Sequence, residues 1–91
     1  SLKHMNVDIL KIDKSFIDGI LSDKKSLVIV SSMIEMGHNL GYKIIAEGIE
    51  SQGQLELLQQ LNCDLGQGYL FSKPVTAEEI PALHGVDLKP Q

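Results

Sequence analysis

Along this chain the spacing of apolar side chains switches repeatedly between a period of two and a helical period, and that alternation most limits what it can fold into. Residues 7–13, Val-Asp-Ile-Leu-Lys-Ile-Asp, alternate apolar and polar side chains and predict a short strand. A connection from Lys14 to Lys25 follows, punctuated by Gly19 and Ser22-Asp23, with one helical turn predicted around Phe16–Leu21. From Ser26 to Leu40, Leu27, Val30 and Ile34, together with Val28, Met33 and Met36, recur at three- and four-residue steps and predict a helix, which Asn39 and Gly41 end. A second strand is predicted from Tyr42 to Glu47, closed by Gly48. Ser51 with Gln54 has capping-box spacing and opens a second helix, whose buried face is Leu55, Leu57, Leu58 and Leu61. A third strand is predicted over Gly66–Phe71 and stopped by Pro74. Thr76 with Glu79 repeats the capping-box spacing before a last helix to about Leu83, and Gly85–Gln91 read as a frayed tail.

The order strand-helix, three times over, implies a parallel sheet with right-handed crossovers. Three strands are too few for a closed barrel, and a sheet of three leaves both edges bare and one face uncovered. The fold class expected is therefore α/β, three βα units of a larger α/β domain, with no internal linker dividing the chain.

Composition narrows the function classes. At 91 residues the chain has room for no more than one small domain, and 43% hydrophobic with 22% charged residues argues against disorder. Two Phe, two Tyr and no Trp leave the core to Ile, Leu and Val. Twelve acidic residues against eight scattered lysines and no arginine give a net charge of −4, which argues against duplex nucleic acid as a partner. The single Cys63 excludes an internal disulfide and a cysteine metal cluster, and fits a reducing cytoplasm. No apolar run reaches the ~18 residues of a membrane span, and no signal peptide is expected from the opening residues.

In a strand, residues i and i+2 share a face. Ile9, Lys11 and Asp13 project one way and Leu10 and Ile12 the other; Lys43, Ile45 and Glu47 oppose Ile44 and Ala46; Gln67 and Tyr69 share a face between glycines. With helices over the Leu10/Ile12 and Ile44/Ala46 face, Lys11, Glu47 and Gln67 gather at the other face near the strand ends, where parallel α/β proteins build sites. The same residues also fit a plain reading: a solvated, ion-paired rim for Lys11 and Glu47, a tight bend for Gln67, and helix-dipole decoration for Glu50. His4, His38 and His84 lack metal-ligand spacing and read as surface residues, Cys63 as a small buried residue rather than a nucleophile. No Walker loop or dinucleotide fingerprint is present.

Three segments carry a family resemblance. Asp8-Ile9-Leu10-Lys11-Ile12-Asp13-Lys14-Ser15-Phe16-Ile17 resembles the sixth-strand segment of the EAL family, the cyclic di-GMP phosphodiesterases. Ala46-Glu47-Gly48-Ile49-Glu50 followed by Gln54-Leu55 resembles that family's next strand and helix entry, and Gln67-Gly68-Tyr69-Leu70-Phe71-Ser72-Lys73-Pro74 its last strand. The resemblance runs over residues 6–84, in family order, and implies the final third of a TIM-like (β/α)8 barrel. The Glu-Ala-Leu signature, the Asn and Glu ligands after it and the Asp-Asp-Phe-Gly-Thr-Gly loop are absent from the sequence.

By this resemblance Lys11 matches the lysine that orients the attacking water, and Glu47 the glutamate at the metal–water site, a base or a metal ligand. Gln67 matches the glutamine that helps hold substrate, while Glu50 and Asp13 match supporting positions. The complete domain is then expected to use Mg²⁺ or Mn²⁺ to hydrolyse cyclic di-GMP to linear pGpG, within a bacterial signalling protein that carries GGDEF (diguanylate-cyclase) or sensor modules and can be anchored to a membrane elsewhere. The alternative is a catalytically inactive relative acting as a cyclic di-GMP receptor or protein-interaction module. The 91 residues alone are expected to be inactive, to hold no metal and to self-associate through bare strand edges.

Overall fold

The computed structural model describes residues 8–72 and 85–89. In chain order it contains β1 (Ile9–Ile12), α1 (Lys14–Ile17), α2 (Lys24–Asn39), β2 (Lys43–Ala46), α3 (Gln52–Gln60), β3 (Leu65–Gly66) and β4 (Val86–Asp87). The predicted helix over Thr76–Leu83 lies outside the described residues.

β1 pairs with β2 in parallel, Ile9 opposite Lys43 through Ile12 opposite Ala46, and β2 pairs with β3 in parallel, Ile45 opposite Leu65 and Ala46 opposite Gly66. The parallel α/β expectation therefore holds, with one addition. Val86–Asp87, expected to be a frayed tail, run antiparallel to β3 as a fourth strand, Leu65 opposite Asp87 and Gly66 opposite Val86. Burial explains the docking: Leu88, just beyond the strand, joins the core, and its N–H donates to Asp64 O at 2.9 Å.

The first helical turn starts earlier than predicted because Asp13 caps it, its carboxylate accepting from Ser15 N–H at 2.9 Å and Ser15 Oγ at 2.7 Å. Asp23 likewise starts α2 at Lys24 instead of Ser26 by accepting from Lys25 N–H. The Ser51/Gln54 capping box forms as predicted. Its glutamine does more than cap: Oε1 accepts from Glu50 N–H at 2.8 Å and Ser51 N–H at 3.2 Å, and Nε2 donates to Ile17 O at 3.4 Å.

The core is Ile12, Ile17, Ile20, Val30, Ile34, Ile44, Ala46, Ile49, Leu58, Cys63 and Leu88, aliphatic as the composition requires. α2 lies on the Leu10/Ile44 face of the sheet so closely that a side chain at Gly37 would overlap Ile44 Cδ1 and stand 3.2 Å from Leu10 Cδ2. This is the face the two-residue period assigns to helices. Of the apolar residues that mark the helical period on α2, Val30 and Ile34 turn inward together with Gly37, whereas Val28 and Met36 are exposed.

The predicted third strand ends at Gly66. From Gln67 the chain turns inward: Gln67 N–H bonds Ala46 O, Ile49 N–H bonds Gln67 O, and Leu70 N–H bonds Ile49 O at 3.1 Å. Gly68, at φ +147°, lies against the Ile49 backbone, an approach that leaves no room for a Cβ. Gln67 and Tyr69 therefore do not share a strand face.

Candidate functional site

The carboxyl ends of β1, β2 and β3 form one rim. Ile12, Ala46 and Gly66 stand opposite one another, and the next residues along, Asp13, Glu47 and Gln67, continue the ladder, Glu47 N–H bonding Ile12 O at 3.0 Å and Gln67 N–H bonding Ala46 O at 2.9 Å. Lys11 and Glu47 meet here, Nζ 3.9 Å from Oε2, with side chains 66% and 32% exposed. Both charges are thus open to solvent and free to meet a third group. Gln67 stands half-buried at the same level.

The other two candidates engage local partners. Asp13 turns its carboxylate onto Ser15, and these bonds hold it below the usual carboxylate range. Glu50 reaches back to α1: its Oε2 lies 3.7 Å from Lys14 Nζ, which also donates to both carboxylate oxygens of Asp18 at 2.9 and 3.0 Å. Asp18 chiefly keeps the Lys14 ammonium above its ordinary pKa. Among the described residues no three His, Cys, Asp or Glu side chains converge as a metal group. The donor chemistry nonetheless suits a hard divalent cation: Glu47 offers a solvent-accessible carboxylate at the rim, one oxygen ligand of the several such an ion needs.

A second polar cluster lies at the opposite, amino-terminal end of the sheet, and no sequence motif points to it. Asp64 is 6% exposed; its Oδ2 bonds His38 Nε2 at 2.6 Å and accepts from Ile44 N–H at 2.9 Å, and its Oδ1 lies 3.4 Å from Lys89 Nζ. Burial pushes this carboxyl up, but His38, the Ile44 amide and Lys89 together outweigh it and leave the group below its ordinary value. His38, expected as a surface residue, is instead half-buried in this network. Cys63 is buried as expected, its thiol pushed up to about 11 by burial.

Parallel strands backed by helices define an α/β protein, and the ammonium, carboxylate and carboxamide at their carboxyl ends make a candidate site at the rim where such folds place chemistry. The chain belongs to the EAL domain family, whose model matches residues 1–74. Over 72 residues it is 43% identical to the oxygen sensor protein DosP of Escherichia coli, covering 79% of this chain and 9% of that protein. Over 81 residues it is 40% identical to the bifunctional diguanylate cyclase/cyclic di-GMP phosphodiesterase MucR of Pseudomonas aeruginosa, covering 89% of this chain and 12% of that protein. The solved structure of the PaMucR phosphodiesterase in its c-di-GMP complex superposes with a TM-score of 0.74 at 39% identity, over 82% of this chain and 30% of that one. The chain thus spans about a tenth of the length of these two relatives and under a third of the solved chain. Its solved neighbours are EAL domains, TIM-like barrels of which this chain is a part.

Proposed function

We propose that this chain is the C-terminal part of a phosphodiesterase domain that opens cyclic di-GMP to linear pGpG. The observation that carries the reading is the meeting of Lys11 and Glu47, 3.9 Å apart, at the rim where Gln67 stands level with them. In the reaction a water attacks one phosphorus and the bond to a ribose 3′ oxygen breaks. The Lys11 ammonium holds the attacking oxygen or a phosphoryl oxygen, and the Glu47 carboxylate accepts the water's proton or ligates metal. Gln67 supports substrate or Glu47, and Glu50 and Asp13 fix the loops on which these groups stand. Mg²⁺ or Mn²⁺, when bound, lowers the water's pKa and neutralises developing charge. Glu47 is the one ligand proposed from this chain, and the remaining ligands belong to the part of the domain it does not match.

On this reading the 91 residues alone do not turn over cyclic di-GMP. Exposed Ile9, Val28, Met36 and Leu40 favour self-association of the isolated chain. GGDEF or sensor modules in the same protein and a cytoplasmic setting belong to the same proposal; among the described residues no helix is long and apolar enough to cross a membrane.

The test is a chimera in which residues 8–72 replace the matched segment of the MucR phosphodiesterase domain, assayed with cyclic di-GMP and Mg²⁺. Release of pGpG, lost on Glu47→Gln, is the expected result. A folded chimera that binds cyclic di-GMP without turnover favours a receptor instead, and one that does neither removes the assignment.

A further inference from the structure

Lys14 is not among the residues the sequence singles out, yet its stem packs against Gly48, the residue next to Glu47 at the candidate rim. α1 itself gives no reason for a lysine in its first turn, where free N–H groups favour acidic side chains, and a lysine preceding an aspartate at i,i+4 is the weaker order of such a pair. The reason lies across the sheet. Gly48, at φ +78°, presents its bare Cα to the Lys14 stem: a Cβ there would overlap Lys14 Cγ and stand 2.6 Å from its Cβ and 2.8 Å from its Cδ. Beyond that contact the Lys14 ammonium reaches Glu50 at 3.7 Å, and Asp18 holds it from the other side at 2.9 Å.

The loop so gripped is the one that carries Glu47. Glu47 N–H is bonded to Ile12 O at 3.0 Å, and Ile49, fully buried, is bonded through its N–H to Gln67 O at 2.9 Å. Gly48 is the residue between these two fixed points, and glycine has the widest choice of backbone angles. Left uncovered, it would let the peptides beside it rotate and swing the Glu47 carboxylate away from Lys11. We propose that Lys14 is a positioning residue for Glu47: its stem closes Gly48 and its ammonium anchors Glu50, so that two lysines three residues apart at the end of β1 hold both ends of the Glu47–Glu50 loop. The proposal rests on the reading of Glu47 as a site residue.

Two measurements test it together. The first is amide hydrogen exchange by mass spectrometry on the 91-residue chain. Lys14→Ala speeds exchange in the 47–51 stretch about tenfold while α2 and α3 keep their rates, and Lys14→Arg, which retains stem and charge, stays within about twofold of the parent. The second is kinetics in the MucR chimera. Lys14→Ala lowers kcat about tenfold, since small misplacements of a catalytic group carry penalties of this order or more, with KM within about twofold, and Lys14→Arg restores it. Unchanged exchange at 47–51 overturns the proposal, as does faster exchange spread equally over α2 and α3. A rise in KM at constant kcat overturns it too, because the clamp would then serve binding. A parent chimera without turnover defeats the phosphodiesterase reading, and the exchange measurement still decides whether Lys14 holds the loop.

Discussion

Gly68 lies with its Cα against the backbone of Ile49, and both faces of this contact are backbone, so neither can step aside. The contact joins the segment that bears Gln67 to the loop that bears Glu47, and the Leu70 N–H bond to Ile49 O closes it. Gly68→Ala meets a steric overlap and a left-handed φ of +147° at once. It should lower stability by about 2–3 kcal/mol, read as a shift of the urea midpoint. A midpoint unchanged within error would show that the two segments can part without loss.

Asp64 gives the fold a defined acid limit. Its folded-state pKa lies below the ordinary carboxylate value. A carboxylate depressed in the fold stabilises it above the unfolded pKa, ~3.9, and that contribution disappears as pH falls through the folded value. The melting temperature should therefore drop below about pH 4, more steeply in the parent chain than in Asp64→Asn. At pH 7 the substitution should cost about 1–3 kcal/mol, because the bonds to His38 and Ile44 N–H lose their charged acceptor. Equal slopes in the two proteins would place the acid limit elsewhere.

The thiol of Cys63 should be inert in the native chain. Its pKa of about 11 leaves almost no thiolate at pH 8, and the residue is buried, Sγ donating to Leu65 O at 3.4 Å. Labelling by an aromatic disulfide reagent should be slow in buffer and immediate in urea. Rapid labelling under native conditions would mean that β3 opens readily.

Lys11 and Glu47 should separate activity from stability. Their ion pair is 3.9 Å long and solvent-exposed, a type worth about 0–1 kcal/mol. Lys11→Ala and Glu47→Gln should each leave the urea midpoint nearly unchanged while lowering turnover in the chimera by about a hundredfold or more. A large stability loss with modest kinetic change would make the pair a structural strut.

Much of this was legible because it is local. A two-residue period assigns faces without knowledge of partners, so the placing of Leu10 and Ile44 under helices, and of Lys11 with Glu47 at the other face, followed from spacing. The Ser51/Gln54 cap spans three residues and formed as read. What the sequence hid depends on distant groups. The third strand is cut short because Gly68 is drawn to Ile49, nineteen positions earlier in the chain. Val86–Asp87 are too short for any period, and pair because Leu88 finds the core. Asp64 and His38, 26 positions apart, share no motif. On α2 the helical period permitted two stripes, and only the sheet selected Val30, Ile34 and Gly37.

Among the described residues β1 has a neighbour on one side only, and β1 is the strand that carries Lys11. The ammonium is therefore mounted on an edge strand, whose outer backbone groups meet no strand among the described residues. On the proposed reading of Lys11, a strand seated along that edge would steady the lysine, which ties the placing of its ammonium to how far the sheet is completed.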